Sequence, residues 1–196
     1  LVPSPDYPLW TAAVNLNRGR AVHYPCPPER GFIPSPEEIE SLITKRTRAI
    51  VVINPNNPTG AVYPRHVLEA IARIAEKYHL VVLADEIYDQ MTYDGAEFVP
   101  MATLVQHTLC GTLSGLSKVY RACGYRVGWA VFSGDVEHSR EYLSALELLS
   151  SLRLCSNVPG QWAVQTALGG FQSIRELTSP GGRLFESRQA ILRGVN

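Results

Sequence analysis

Residues 49–88 read AIVVINPNNPTGAVYPRHVLEAIARIAEKYHLVVLADEIY. The first five, Ala49–Ile53, are apolar without alternation, the pattern of a strand covered on both faces. Asn54-Pro55-Asn56-Asn57-Pro58-Thr59-Gly60 is then all turn chemistry, and its asparagines tolerate a left-handed backbone, which accounts for Asn54 and Asn56. Val67, Leu68, Ile71, Ile74, Ala75 and Tyr78 fall on one helical face, with Arg65, Glu69, Arg73 and Glu76 around the other. Leu80–Ala84 is a second apolar run, stopping at Asp85-Glu86. Strand, helix and strand with fully apolar strands predict an α/β fold: a three-layer, mostly parallel sheet with helices on both faces.

Working outward, Thr108–Leu113 and Tyr125–Phe132 read as further strands and Asp135–Leu152 as a long helix. Asn157-Val158-Pro159 opens another helix, which Gly169-Gly170 closes. Toward the start, Pro5–Trp10 reads as a loop, Leu9–Leu16 as a short helix and Ala21–Tyr24 as a strand ended by prolines. Ser35-Pro36-Glu37-Glu38 carries the signature of a capping box, and Ile39, Leu42 and Ile43 give the helix after it an apolar stripe. In open parallel sheets ligands gather beyond the carboxyl ends of the strands. Three successive apolar runs here deliver Asn57, Asp85 and Lys118 to that one edge.

Composition narrows the function classes. The chain has 196 residues, 45% of them hydrophobic, with a formal net charge of zero and an isoelectric point near 7.1. No basic surface for nucleic acid or an anionic membrane is implied, and no apolar run approaches bilayer length. Cys26, Cys110, Cys123 and Cys155 are scattered, without a CxxC pair or clustering with histidine, which favours reduced thiols over disulfides or a metal site. The opening Leu1-Val2-Pro3-Ser4-Pro5 reads as a strand running into a loop, and Leu184–Val195 has helical spacing up to the last residue. Both ends read as cut, so the chain is expected to be a piece of a longer protein, with the apolar face of Leu184–Val195 left partly bare.

The chemistry concentrates in Ser114-Gly115-Leu116-Ser117-Lys118, followed by Gly124-Tyr125-Arg126-Val127-Gly128-Trp129. A lysine can form an imine with an aldehyde, and an arginine can hold a phosphate by its planar fork of donors. Each feature has a plainer explanation alone: a surface lysine before a Gly-rich hairpin, or a carboxylate capping a helix. Their convergence on one edge favours a shared site.

Taken together, these motifs resemble the class I/II aminotransferases, the fold-type I enzymes of pyridoxal 5′-phosphate, over Tyr7 to about Phe185. The bacterial glutamate–pyruvate (alanine) subgroup is the nearest likeness, on Asp-Tyr-Pro-Leu-Trp, Asn-Pro-Asn-Asn-Pro-Thr-Gly-Ala-Val-Tyr and Gly-Leu-Ser-Lys. The resemblance implies a cofactor-binding large domain over residues 1–183 and, in 184–196, the start of a helix leading to a further domain. It implies that Lys118 holds the cofactor as an internal aldimine and then moves the substrate proton. Asp85 would pair with the pyridine nitrogen, Tyr88 and Asn57 would bond its phenolic oxygen, and Asn57 would also touch the substrate carboxylate. Tyr7 would stack on the ring, while Ser117 and Arg126 would hold the phosphate.

Relatives with Ser-x-Ser-Lys have a serine where this chain has Gly115, so one phosphate hydroxyl is missing or comes from elsewhere, Ser114 being one source. Arg121 is bulkier than the signature commonly has. Trp10 reads as core or pocket wall and Glu86 as structural. Arg153 and His23, His66, His79, His107 and His138 read as structural or solvent-facing. Cys155-Ser156-Asn157-Val158-Pro159 resembles a segment that reaches a partner subunit's site, and a helix cap at Asn157 explains it almost as well.

The implied reaction is ping-pong transfer of an amino group between an amino acid, alanine or glutamate, and a 2-oxo acid, in a cytoplasmic homodimer. The groups implied before Leu1 and after Asn196 would leave these 196 residues inactive alone. Two alternatives use the same fold: a β-lyase, separable by its products, and a ligand-sensing domain of a regulator, separable by a DNA-binding domain upstream.

Overall fold

The computed structural model describes residues 1–155 and 157–195. Four strands form the main sheet in the order β3 (Ala49–Ile53), β4 (Val81–Asp85), β5 (Leu109–Gly115) and β6 (Gly128–Gly134). β3, β4 and β5 run parallel, with Ile53 beside Asp85 and Asp85 beside Leu113, so their carboxyl ends share one edge. β6 returns antiparallel to β5 and pairs Gly115 with Gly128. A short parallel pair, β1 (Val2–Ser4) and β2 (His23–Pro25), adjoins β3 through Leu1, whose carbonyl accepts from Val51 N at 2.9 Å.

Alternation along the strands sorts side chains to two faces. Ile50, Val52, Val82, Ala84 and Cys110 pack with Val67, Leu68, Ile71, Ile74 and Ala75 of α3 (Arg65–Lys77) and Ile39 of α2 (Pro36–Ser41). Val51 and Ile53 point the other way, toward Val2 and the half-buried Trp10 of α1 (Pro8–Leu16). Burying a large aliphatic side chain stabilises by roughly 1.5–3 kcal/mol, so the α3 face dominates the core. Helices do cover both faces, but unequally.

Past β6 come α4 (Arg140–Ser151), α5 (Val158–Gly169), α6 (Ile174–Thr178) and α7 (Arg183–Val195). Leu148, Leu152, Trp162 and Phe171 on or beside them are largely exposed. So are Ile191 and Val195, and the end of α7 is bare in the way its sequence predicts. No helix among the described residues is long and apolar enough to cross a membrane.

Several boundaries differ from the sequence reading for local reasons. β2 starts at His23, not Ala21, and β6 at Gly128, not Tyr125. Residues 123–125 form a 3₁₀ turn there and Arg126 takes a left-handed φ of 53°. α4 begins at Arg140 because the Asp135 carboxylate accepts from His138 N and holds the preceding residues in a turn. α6 carries too short an apolar pattern to stand out in the sequence. The capping box of α2 is half made: Ser35 Oγ accepts from Glu38 N at 3.3 Å, but the Glu38 carboxylate is taken by Arg30 at 2.7 and 2.8 Å. Tyr78 leaves the α3 stripe and donates to Glu40 at 2.9 Å.

Candidate active site

Asp85 closes β4, and its backbone carbonyl accepts from Asn54 N at 3.0 Å, keeping β3 and β4 joined to their ends. No helix follows; residues 87–90 are turn, so a capping role for this carboxylate is ruled out by its surroundings. One oxygen lies 3.4 Å from Ile87 N. The other accepts from the indole N–H of Trp10 at 2.8 Å. Trp10 is therefore more than pocket wall. A half-buried indole needs an acceptor, and Trp10, one turn after Tyr7 on α1, finds it in a carboxylate that only the fold brings near.

The turn after β3 presents Asn57, whose side-chain amide lies 3.5 Å from the Tyr88 hydroxyl, at the outer limit of a hydrogen bond. Asn54 and Asn56 build the turn, but not by left-handed backbone, since neither has positive φ. Gly60 takes that conformation, at φ 73°. Asn54 Oδ1 accepts from Tyr63 N at 2.9 Å, and Asn56 Oδ1 accepts from the Thr59 hydroxyl at 2.8 Å. Both act as buried acceptors that free Asn57 to face outward.

Lys118 lies three residues past the end of β5 and is exposed. Its Nζ sits 5.7 Å from the centroid of the Tyr88 ring. The loop carrying it is closed by Leu116 N donating to Val127 O at 3.0 Å, with Ala122 N to Leu116 O and Arg121 N to Lys118 O inside. Ser117, half-buried, and Arg126, exposed, thus share one closed loop with the lysine. One Arg126 nitrogen donates to Cys123 O at 2.7 Å, which leaves the rest of its five donors for an anion. Arg121 also takes a left-handed φ, and its side chain reaches Ser173 at 2.8 Å, which places its bulk away from the lysine.

Gly115 has a structural reason. A Cβ there would lie 2.7 Å from Val127 O and 3.0 Å from Gly128 Cα, closer than the strand pair allows. Ser114 does not replace the missing hydroxyl. By strand alternation it points to the face opposite Asp85 and lines a cavity of about 410 Å³ with Glu86, Asp89 and Thr112.

The structure brings Asn57, Tyr88 and Lys118 together, with Asp85 at the same edge. It places Tyr7 just before α1, where the ring is exposed, and among the described residues links it to the others through Trp10 N donating to Tyr7 O. Glu86 is buried, accepts from Met101 N at 2.8 Å, and desolvation pushes its carboxyl up to about 7. Asn157 caps α5 by accepting from Gly160 N, while its amide donates to Tyr125 O, so it braces the lysine loop from behind. Ser156 lies outside the described residues. The five histidines and Arg153 are exposed.

The sequence model of the family described as aminotransferase class I and II matches residues 1–195. The chain belongs to that family. It is 53% identical over its whole length to glutamate–pyruvate aminotransferase AlaA of Escherichia coli, covering 48% of that protein. It is 52% identical, again over its whole length, to an alanine aminotransferase of Mycobacterium tuberculosis, covering 46%. A crystal structure of an aminotransferase from Escherichia coli superposes with a TM-score of 0.93 at 54% identity, over 96% of this chain and 46% of that one. The chain thus spans about half the length of these relatives. The family's cofactor is pyridoxal 5′-phosphate. The donor set fits it: an exposed amine beside a phenol, a carboxylate held at the edge, and a guanidinium on the amine's own loop.

Proposed function

We propose that the full-length protein transfers an amino group from an amino acid to a 2-oxo acid in two half-reactions, with alanine and glutamate as donors and pyruvate and 2-oxoglutarate as acceptors. The observation that carries this reading is the gathering of Asn57, Tyr88 and Lys118 with Asp85 at the carboxyl edge of β3, β4 and β5. The names of the relatives support the substrates. Bound pyridoxal 5′-phosphate supplies an electron sink for the charge left when a proton leaves the substrate Cα.

The residues of this chain do the rest. Lys118 would hold the cofactor through its amine, and as a free amine would move a proton between the substrate Cα and C4′ of the cofactor. Asp85 would serve the pyridine nitrogen as a counter-charge. Tyr88 and Asn57 donate to the phenolic oxygen, and Asn57 also meets the substrate carboxylate. Arg126 and Ser117 would bind the phosphate, and Tyr7 would stack on the ring. Residues 1–183 make up the cofactor-binding domain, with α7 leading onward. The family likeness supports a homodimer, placed in the cytoplasm on this reading.

The test is a coupled assay of the full-length protein with alanine and 2-oxoglutarate, with this 196-residue chain run beside it. Formation of glutamate and pyruvate in equal amounts supports the reading. No glutamate from alanine, together with release of pyruvate, ammonia and a thiol when a cysteine S-conjugate is supplied instead, overturns it in favour of a lyase.

A further inference from the structure

We infer that Trp10 is a positioning residue for the reaction: its indole N–H fixes the carboxylate of Asp85 so that the free lone pairs face the pyridine nitrogen. The inference rests on the reading of Asp85 as the partner of that nitrogen.

Three observations carry it. The indole N–H to Asp85 Oδ2 distance is 2.8 Å, a full hydrogen bond to a charged acceptor. The other contact to this carboxylate, from Ile87 N, is 3.4 Å and weak. Among the described residues the indole is thus the strong restraint on the carboxylate's rotation about χ2, which is otherwise a broad torsion. The indole is itself held. It packs on Val2 of β1 and Val51 and Ile53 of β3, and its backbone N–H donates to Tyr7 O at 3.1 Å.

The geometry also ties two parts of the site together. Trp10 stands one turn after Tyr7 on the first turn of α1, so the segment that offers an aromatic ring to the cofactor also sets the direction of its counter-charge. A carboxylate free to swing would spend part of its time off line with the ring nitrogen. That nitrogen would hold its proton less firmly and draw less charge from the substrate carbon. Preorganisation of this kind acts on turnover more than on substrate binding.

The test compares Trp10→Phe, which keeps an apolar ring but removes the N–H, with Asp85→Asn in the full-length holoenzyme. Trp10→Met is a second variant without the N–H, for use if the phenylalanine variant folds poorly. Turnover in Trp10→Phe should fall roughly ten- to a hundredfold, the worth of one charge-assisted hydrogen bond, with KM little changed. The pH at which the visible absorbance of the bound cofactor changes should move upward, in the same direction as in Asp85→Asn. With a cofactor analogue that has a carbon in place of the ring nitrogen, wild type and Trp10→Phe should turn over alike. An unchanged rate and titration in Trp10→Phe, while Asp85→Asn is impaired, would overturn the role of Trp10 alone. So would a loss that persists undiminished with the analogue. If Asp85→Asn itself turned over normally, the reading of Asp85 would be lost, and the role of Trp10 with it.

Discussion

The amine of Lys118 lies 5.7 Å from the centre of the Tyr88 ring, although the two residues leave different strands, β5 and β4. The parallel register between those strands makes this possible, since Asp85 pairs with Leu113 and both strands then exit on the same side. The phenol stands where it can meet whatever carbonyl compound the amine attaches.

Lys118 is therefore expected to carry the cofactor. Borohydride reduction of the full-length protein, followed by peptide mapping, should find a pyridoxyl group on the Lys118 peptide. The chain's other lysines are poor competitors: Lys77 is paired with Glu40 at 2.7 Å, and Lys45 lies on an exposed loop away from the edge. A label on Lys45 or Lys77 would remove the basis for the proposed function.

Asp85→Ala should leave a folded protein that still binds the cofactor but turns over at least ten- to a hundredfold more slowly, because one charge-assisted hydrogen bond is worth roughly 1.5–3 kcal/mol. Cofactor binding and turnover measured on the same sample separate the two effects. Normal turnover would return Asp85 to a purely structural place at the end of β4.

Gly115→Ser would restore the hydroxyl that many relatives carry, yet it should not improve phosphate binding. Its Cβ would meet Val127 O at 2.7 Å. Relieving that contact means prising β6 from β5, for a loss of about 1–3 kcal/mol by the usual cost of overpacking. Denaturant titration of the variant against wild type measures it. An unchanged midpoint with tighter cofactor binding would show that the strand pair yields easily.

The sheet and its edge were legible because apolar runs are strong signals: Ala49–Ile53 is a strand to the residue, and β4 and β5 are each displaced by one or two positions. Asn57, Asp85 and Lys118 followed from where those runs stop. What the sequence hid depends on contacts between distant segments. The indole of Trp10 finds Asp85 seventy-five positions away, and no local pattern encodes that. The reason for Gly115 lies on the facing strand, at Val127 and Gly128. The reach of Ser114 is hidden by strand alternation, which turns it to the far face, and that could have been counted from Asp85 only with the register in hand.

Glu86 gives the last prediction, and its sign is opposite to that of a salt-bridged acid. It is buried beside Asp89 and Asp85, with one donor, Met101 N, at 2.8 Å, and desolvation is the main cause that lifts its carboxyl to about 7. An unfolded glutamate titrates near 4.3. Between these values the folded chain binds more protons than the unfolded one, so stability falls as pH rises through that window. Each unit is worth about 1.4 kcal/mol, so the full swing is on the order of 4 kcal/mol. Glu86→Gln keeps the acceptor for Met101 N and cannot ionise. Its stability should match wild type near pH 4.5 and exceed it above pH 7.5, which urea unfolding at the two pH values would measure. An equal pH dependence in both proteins would mean that Glu86 finds enough water or counter-charge in its cavity to ionise at no cost.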